Sequence, residues 1–123
     1  MADNQTLYAR LGGYDAITAV ADDLLVRLMA DAQLGRFWQN RAADSMRREK
    51  QLLIDFLCAS AGGPLYYVGR DMKTSHRGMA INASDWKVFI GHLEATLENF
   101  KVPAAERTAV LGFVDSTKAD IVE

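Results

Sequence analysis

The chain contains two histidines, His76 and His92, and a single cysteine, Cys58. These three side chains cannot supply the four nitrogen and sulfur ligands of the usual structural zinc sites. Cys58 lies in the middle of an apolar helical segment, which indicates a packing role. No spacing supports a nucleophilic pair of the cysteine with a histidine. The paired glycines adjoin predicted helices and follow no strand, so they indicate helix ends rather than a phosphate-binding loop.

His76 has the surroundings that could do chemistry. It falls in a short helical segment between Gly69 and Gly78, and Met72 lies four residues earlier on the same face. A lone histidine that projects from a short helix toward an apolar interior commonly holds a haem iron. The spacing also fits a structural histidine, so the residues alone leave both interpretations open. His92 lies on the flank of an apolar helix stripe, which favours a partly buried, hydrogen-bonded histidine.

Helical periodicity accounts for the first third of the chain. Thr6 is predicted to cap a short helix that ends at Gly12 and Gly13. In the next helix the apolar residues share one stripe, and Asp23 and Arg27 have the four-residue spacing that favours an ion pair. The stripe consists of Ile17, Val20, Ala21, Leu24, Leu25 and Leu28.

The middle of the chain is predicted to hold a short helical turn and a long helix. The turn covers residues 34–38, and a polar loop follows over residues 39–44. Asp44 or Ser45 is predicted to cap a helix that runs to Ala61, where a Gly-Gly-Pro sequence stops it. The inner face of this helix consists of Met46, Leu53, Phe56 and Leu57.

The second half of the chain is also predicted to be helical. Residues 65–68 have some strand character, but without a partner strand they make no sheet. Residues 69–81 are predicted to contain at most one or two helical turns. Ser84 is predicted to cap a fourth helix, and Pro103 suits the first turn of a last one. The inward stripes of these two helices are Trp86, Phe89, Ile90, Leu93, Leu97 and Phe100, and Val110, Leu111, Val114 and Ile121.

Composition and charge limit the class of protein. A length of 123 residues fits one domain over 1–123, and 50% hydrophobic residues are normal for a globular protein. A formal net charge of −2 argues against a nucleic-acid binder. Because no segment approaches the apolar length of a signal peptide or a membrane span, we expect a soluble, cytoplasmic protein without a membrane partner.

The order and separation of several short motifs resemble the truncated haemoglobins, most closely the first group of that family. The motifs are residues 7–13 (LYARLGG), 37–38 (FW), 56–58 (FLC), 62–64 (GGP), Tyr67, 69–73 (GRDMK), His76 and 91–93 (GHL). The resemblance covers nearly the whole chain. It implies an all-α, truncated 2-on-2 globin fold in which helices B, E, G and H surround a haem.

Carried over to this chain, the resemblance makes His76 the metal ligand, namely the proximal histidine of haem b on the short F helix. Phe37 and Trp38 match the aromatic pair whose second member packs on the haem face. His92 matches a helix G position that is not an iron ligand, so no bis-histidyl coordination is expected. Further contacts with the cofactor are implied for Leu53, Leu57, Tyr67, Met72, Lys73, Ile81 and Phe89.

Four side chains are further candidates around the haem. Lys73 and Arg70 could pair with the haem propionates, since cations near the pocket mouth would do so. Solvated surface charge is the alternative for each of them. Lys50 or Met46 could act as a weak sixth ligand.

The chain departs from the family pattern on the distal side, where the gas would bind. Helix B usually offers a tyrosine whose hydroxyl donates to the bound gas, but the matching position here is Leu25. Counting back along helix E places Leu53 where a glutamine or threonine often stands, and Glu49 one turn earlier. Two extra residues in this region leave the register open, and an alternative register would let Gln51 reach the pocket.

The resemblance implies reversible binding of O2, CO or NO, for oxygen binding, transport, storage or sensing. The alternative is a haem enzyme, either a nitric oxide dioxygenase or a peroxidase-like protein. Such an enzyme would need an external reductase, because the chain has no flavin or nicotinamide motif. A third hypothesis is a haem-free helical interaction module whose apolar stripes form a bundle core. With leucine at the helix B position, we expect faster oxygen release than in a tyrosine-bearing relative.

Overall fold

The structure is a computed structural model, and it describes residues 6–39, 42–64, 67, 69 and 72–123, apart from the side chain of Ser75. It contains α1 (Leu7–Arg10), α2 (Gly13–Ala30), a 3-10 helix (Gly35–Trp38), α3 (Ala43–Ser60), α4 (Met72–His76), α5 (Ala83–Asn99), α6 (Ala104–Asp115) and α7 (Lys118–Ile121). No strand occurs among the described residues, which confirms the predicted all-α class. The segment with strand character, residues 65–68, lies outside this part of the chain except for Tyr67.

The turn between the first two helices forms as the sequence predicts. Thr6 caps α1, because its side-chain oxygen accepts a hydrogen bond from the Ala9 amide at 3.1 Å. Gly12 has a φ of +106° and Gly13 a φ of +83°, backbone conformations that side-chain-bearing residues avoid. The Tyr8 amide donates to the Ala61 carbonyl at 2.8 Å, which ties α1 to the end of α3.

The long α2 helix packs on both α3 and α5. Its stripe buries Ile17, Ala21, Leu24 and Leu28. On its polar side Arg27 Nε donates to Asp23 Oδ2 at 2.7 Å, so the predicted four-residue ion pair forms. The same oxygen accepts a hydrogen bond from Thr96 Oγ1 of α5 at 2.8 Å. The hydrogen bonds from Arg27, then from Thr96, outweigh partial burial and lower the pKa of Asp23.

Two predicted helix caps are wrong. The α3 helix begins at Ala43, after Ala42, so Asp44 lies in the first turn rather than before it. A carboxylate there still interacts favourably with the positive end of the helix dipole. Asn82, not Ser84, caps α5: its side chain accepts from the Asp85 amide at 2.8 Å, and Asp85 Oδ2 accepts from the Asn82 amide at 3.1 Å.

The predicted last helix consists of two helices. Pro103 is the residue just before α6, one position earlier than predicted. The helix stops after Asp115, and the Thr117 hydroxyl donates to the Val114 carbonyl at 2.6 Å. This side-chain hydrogen bond competes with helix continuation. The short α7 then packs against α4, and the Glu123 amide donates to the Ile81 carbonyl at 2.8 Å.

The core divides into two clusters of buried side chains that meet along α2. One lies between α2, α3 and the α1 turn and consists of Ile17, Ala21, Ile54, Leu57 and Cys58. The other consists of Leu24, Leu28, Leu34, Ile81, Trp86, Leu93, Leu97, Val110, Val114 and Ile121. Phe100, predicted to point inward, is 41% exposed because it follows the last turn of α5. Within the described residues, no helix has the length and apolarity to cross a membrane.

Replacement of Gly12 by alanine should destabilise the fold. The positive φ is unfavourable for alanine, and an added Cβ would lie 2.9 Å from Ala16 Cβ. We expect Gly12→Ala to lower the free energy of unfolding by about 1–2 kcal/mol. An alanine Cβ at Gly112 in α6 would meet no neighbouring atom within 4 Å outside its own turn of helix, so Gly112→Ala should raise that free energy by about 0.5–1 kcal/mol. Urea unfolding of both variants would measure the two effects, and equal signs would contradict the interpretation.

Candidate functional site

A cavity of about 330 Å³ lies among α2, the 3-10 helix and helices α3 to α7. One wall comes from α2 and α3, which pack on each other, and another comes from α4 and α7. Most of the lining is apolar, as in typical ligand pockets. The lining side chains are Leu24, Leu25, Leu28, Leu34, Phe37, Trp38, Glu49, Leu52, Leu53, Phe56, Leu57, Tyr67, Met72, His76, Met79, Ile81, Asp85, Trp86, Phe89, Leu93, Val114, Thr117 and Ile121.

His76 is the only histidine in that lining, and it ends the five-residue helix α4. Its Nδ1 lies 2.8 Å from the Met72 carbonyl oxygen, four residues earlier. Because a carbonyl only accepts hydrogen bonds, Nδ1 carries the proton in this contact. A neutral ring in that tautomer has its lone pair on Nε2, which is the form in which an imidazole binds a metal.

Aromatic side chains form much of the cavity wall. The rings of Phe37 and Trp38 meet edge to face, with centroids 6.4 Å apart. Those of Trp86 and Phe89 on α5 are 5.3 Å apart, and Phe56 contacts Tyr67 at 5.6 Å. Such walls suit a flat, largely apolar ligand that stacks against aromatic faces and edges.

Asp85 is a cavity-lining carboxylate that the sequence analysis missed. It is 1% exposed and accepts hydrogen bonds from Arg36 Nη2 at 2.8 Å and from Gln33 Nε2 at 2.6 Å. The hydrogen bond from Arg36, followed by that from Gln33, lowers the pKa of Asp85 from its ordinary value of 3.8 to about 2. Asn82 and Asp85 have the three-residue spacing of a capping box, and this signal could have placed Asp85 at the start of α5.

The wall formed by α2 and α3 contains three of the four predicted distal residues. Leu25, Leu53 and Glu49 line the cavity, and the last two lie one helical turn apart on α3. Gln51 does not: its Nε2 contacts Tyr14 Oη and Asp55 Oδ1, each at 3.0 Å, on the exposed side of α3. The alternative register, in which Gln51 reaches the pocket, is therefore not the one that the structure shows.

Most of the remaining predicted cofactor residues line the cavity. They are Leu57, Tyr67, Met72, Ile81 and Phe89. Lys73 is exposed on α4 and is not part of the lining, and Arg70 lies outside the described residues. Lys50 and Met46 do not line the cavity either, and Lys50 Nζ contacts Asp22 Oδ1 at 2.8 Å.

His92 and Cys58 take structural positions. His92 Nε2 lies 2.7 Å from Asp31 Oδ2, away from the cavity lining. The hydrogen bond from His92, then those from the Leu34 and Gln33 amides, lower the pKa of Asp31. Cys58 is fully buried in the core, and desolvation, then the nearby charge of Asp55, raises the pKa of its thiol. In the described part of the chain, no group of three or more His, Cys, Asp or Glu residues could hold a bare metal ion.

The sequence analysis predicts several apolar lining residues only as parts of inward helix stripes or of a turn. They are Leu24, Leu28, Leu34, Leu93, Val114 and Ile121, all on predicted inward stripes or in the predicted turn. Helical periodicity shows which side of a helix is buried, but it does not separate a side chain that packs on protein from one that borders a cavity.

The fold and the histidine-containing cavity together define a globin, and comparison with known proteins supports this class. The family model described as bacterial-like globin matches residues 6–123. A group 1 truncated haemoglobin of Mycolicibacterium paratuberculosis is 33% identical over 113 residues, covering 92% of this chain and 81% of that protein. The ferric crystal structure of the Tetrahymena pyriformis truncated haemoglobin superposes with a TM-score of 0.87 at 29% identity, covering 96% of this chain and 98% of that one.

The chain therefore belongs to the bacterial-like globins and, within them, to the group 1 truncated haemoglobins. The predicted family and truncated globin fold are confirmed. In family terms α2 and α3 are helices B and E, α4 is helix F, and α5 and α6 are helices G and H. Membership implies haem-based binding of gases. The cavity fits this cofactor, because its lining is apolar and aromatic and its one histidine has the tautomer that an iron ligand needs.

The low pKa of Asp85 predicts a specific pH dependence of stability. Because the folded-state pKa is about 2 against an ordinary 3.8, the charged carboxylate stabilises the fold above pH 4 and less so as the pH falls toward 2. Asp85→Asn should lower the free energy of unfolding by about 2 kcal/mol at pH 7. Urea unfolding at several pH values should show the difference from the wild type shrinking below pH 4. Parallel pH profiles would argue against this role.

Proposed function

We propose that the chain binds haem b through Nε2 of His76 and reversibly binds O2, CO or NO on the opposite side. The observation that carries the proposal is the contact of His76 Nδ1 with the Met72 carbonyl at 2.8 Å, in a ring that borders the cavity of about 330 Å³. In the neutral ring this contact selects the Nδ1–H tautomer, which leaves the Nε2 lone pair for a metal. When bound, haem supplies an iron with one coordination position available to a diatomic gas.

The lining supports this division of the pocket into two sides. Met72 and His76 come from α4, whereas Leu25, Leu53 and Glu49 come from the pair α2 and α3. In this proposal the first set contacts the proximal face and the second contacts the gas. The aromatic pair Phe37 and Trp38 packs on the porphyrin, as the family resemblance implies.

Replacement of each histidine by glutamine, in separate variants, tests the assignment of His76 as the iron ligand. His76→Gln should strongly weaken hemin binding and change the Soret band and its response to CO, since the imidazole would be lost. His92→Gln is the matched control, because His92 contacts Asp31 and does not border the cavity. Its absorption spectrum should equal that of the wild type.

The variant His76→Gly, supplied with free imidazole, keeps the test decisive if the glutamine variant misfolds. Imidazole should restore the wild-type Soret band, because it can occupy the place of the missing ring. A Soret band that, without added imidazole, is identical in the wild type and both His76 variants would sink the assignment.

The distal wall predicts fast release of oxygen. Bound dioxygen carries partial negative charge and gains from a hydrogen-bond donor, but Leu25 and Leu53 offer none. Leu25→Tyr should therefore slow O2 dissociation several-fold, because one neutral hydrogen bond contributes about 1 kcal/mol. Leu25→Phe, which adds a similar ring without the hydroxyl, should leave the rate closer to that of the wild type.

Stopped-flow measurement of O2 and CO dissociation from both variants would provide the comparison. CO release should change much less than O2 release, because CO benefits less from a donor. A wild-type rate that is already slow, and that Leu25→Tyr does not change, would mean that another side chain supplies the hydrogen bond.

A further inference from the structure

The 3-10 helix carries Phe37 and Trp38 to the cavity, but a single turn of this kind has little stability of its own. Its own backbone contributes few hydrogen bonds, among them that from the Phe37 amide to the Leu34 carbonyl at 3.0 Å. The orientation of this aromatic wall must therefore depend on contacts with the rest of the fold.

Side chains from the segment 33–38, which contains the 3-10 helix and the two residues before it, reach the first turn of α5. Arg36 Nη2 donates to Asp85 Oδ2 at 2.8 Å, and Gln33 Nε2 donates to Asp85 Oδ1 at 2.6 Å and to Ser84 Oγ at 3.2 Å. The carboxylate is thus shared between two donors of the segment and the Asn82 amide of its own helix. A buried carboxylate is costly unless it is paired, so this arrangement strongly prefers one placement of the segment.

The guanidinium of Arg36 also contacts the aromatic wall. Its Cζ lies 4.2 Å from the centroid of the Phe37 ring, and Arg36 Nη1 donates to the Gln33 carbonyl. Phe37 in turn meets Trp38 edge to face. One planar cation therefore connects the carboxylate at the start of α5 with the two rings that border the cavity.

We infer that Arg36 and Asp85 are positioning residues for haem: they hold the Phe37–Trp38 wall in place and so slow the loss of the cofactor. The inference rests on the proposed occupation by haem of the cavity that His76 borders, but not on which residue ligates the iron. Neither residue needs to touch the iron or the gas for this role.

The test is the rate of hemin loss from the ferric holoprotein to an excess of apomyoglobin. Arg36→Ala should accelerate the loss about tenfold, a change of about 1.4 kcal/mol. Arg10→Ala is the matched control, since Arg10 also pairs with a carboxylate, that of Glu106 at 3.1 Å, and its side chain is 40% exposed against 44% for Arg36. That pair does not border the cavity, so its loss should leave the rate unchanged.

Three further measurements separate positioning from stability. Arg36→Lys keeps the positive charge but cannot lie flat on the ring while it pairs with Asp85, so it should give an intermediate rate even if the alanine variant misfolds. Circular dichroism in the Soret region, which reports the aromatic surroundings of haem, should change in both Arg36 variants and not in Arg10→Ala. Urea unfolding of all three shows whether the rates simply follow stability.

Rates for both Arg36 variants within twofold of those of the wild type and Arg10→Ala would overturn the inference. So would rates that follow the free energy of unfolding across all variants with an unchanged Soret dichroism. A Soret band that is insensitive to His76 would refute the proposed ligation alone, because the comparison of Arg36 with Arg10 measures retention of hemin whichever residue binds the iron.

Discussion

The side chain of His76 donates a hydrogen bond from Nδ1 to the Met72 carbonyl, one turn earlier in a helix that is only five residues long. So short a helix is marginal by itself in water, and its position depends on what packs around it. Here α7 packs against α4, and the Ala80 amide donates to Glu123 Oε1 at 3.2 Å just beyond the histidine. The direction in which the imidazole faces therefore depends on the last helical turn of the fold as well as on Met72.

The cavity has a mostly apolar lining. Hydrogen bonds between polar side chains connect α2, or the segment after it, to α5. Asp23 accepts from Thr96, Asp31 contacts His92, and Asp85 joins Arg36. Hydrogen bonds to charged groups are stronger and more directional than apolar contacts. The leucine and aromatic side chains keep the interior apolar, while these hydrogen bonds fix how α5 lies against α2. The same division explains why His92, although it lies on a pocket-forming helix, serves structure rather than ligand binding.

The sequence predicts most of the helices because burial follows the helical period, as the α2 stripe shows. It misplaces the starts of α3 and α5, since several polar residues compete for each cap and only the backbone decides between Asn82 and Ser84. Through the family resemblance it predicts roles for His76 and Leu25, both of which line the cavity, but it leaves the register of α3 open between two arrangements. Asp85 was missed because a charged residue at a helix start is usually exposed, and its partners are about fifty positions away in the chain.

The backbone contact between Glu123 and Ile81 also bears on the order in which the fold can assemble. Ribosomes make the chain from its N-terminus, so α2, α3 and α5 can associate while α7 is still unmade. The backbone bond from Glu123 to Ile81 forms only when residue 123 has left the ribosome. The wall that carries His76 is therefore completed only after the helices that form the rest of the cavity have been synthesised.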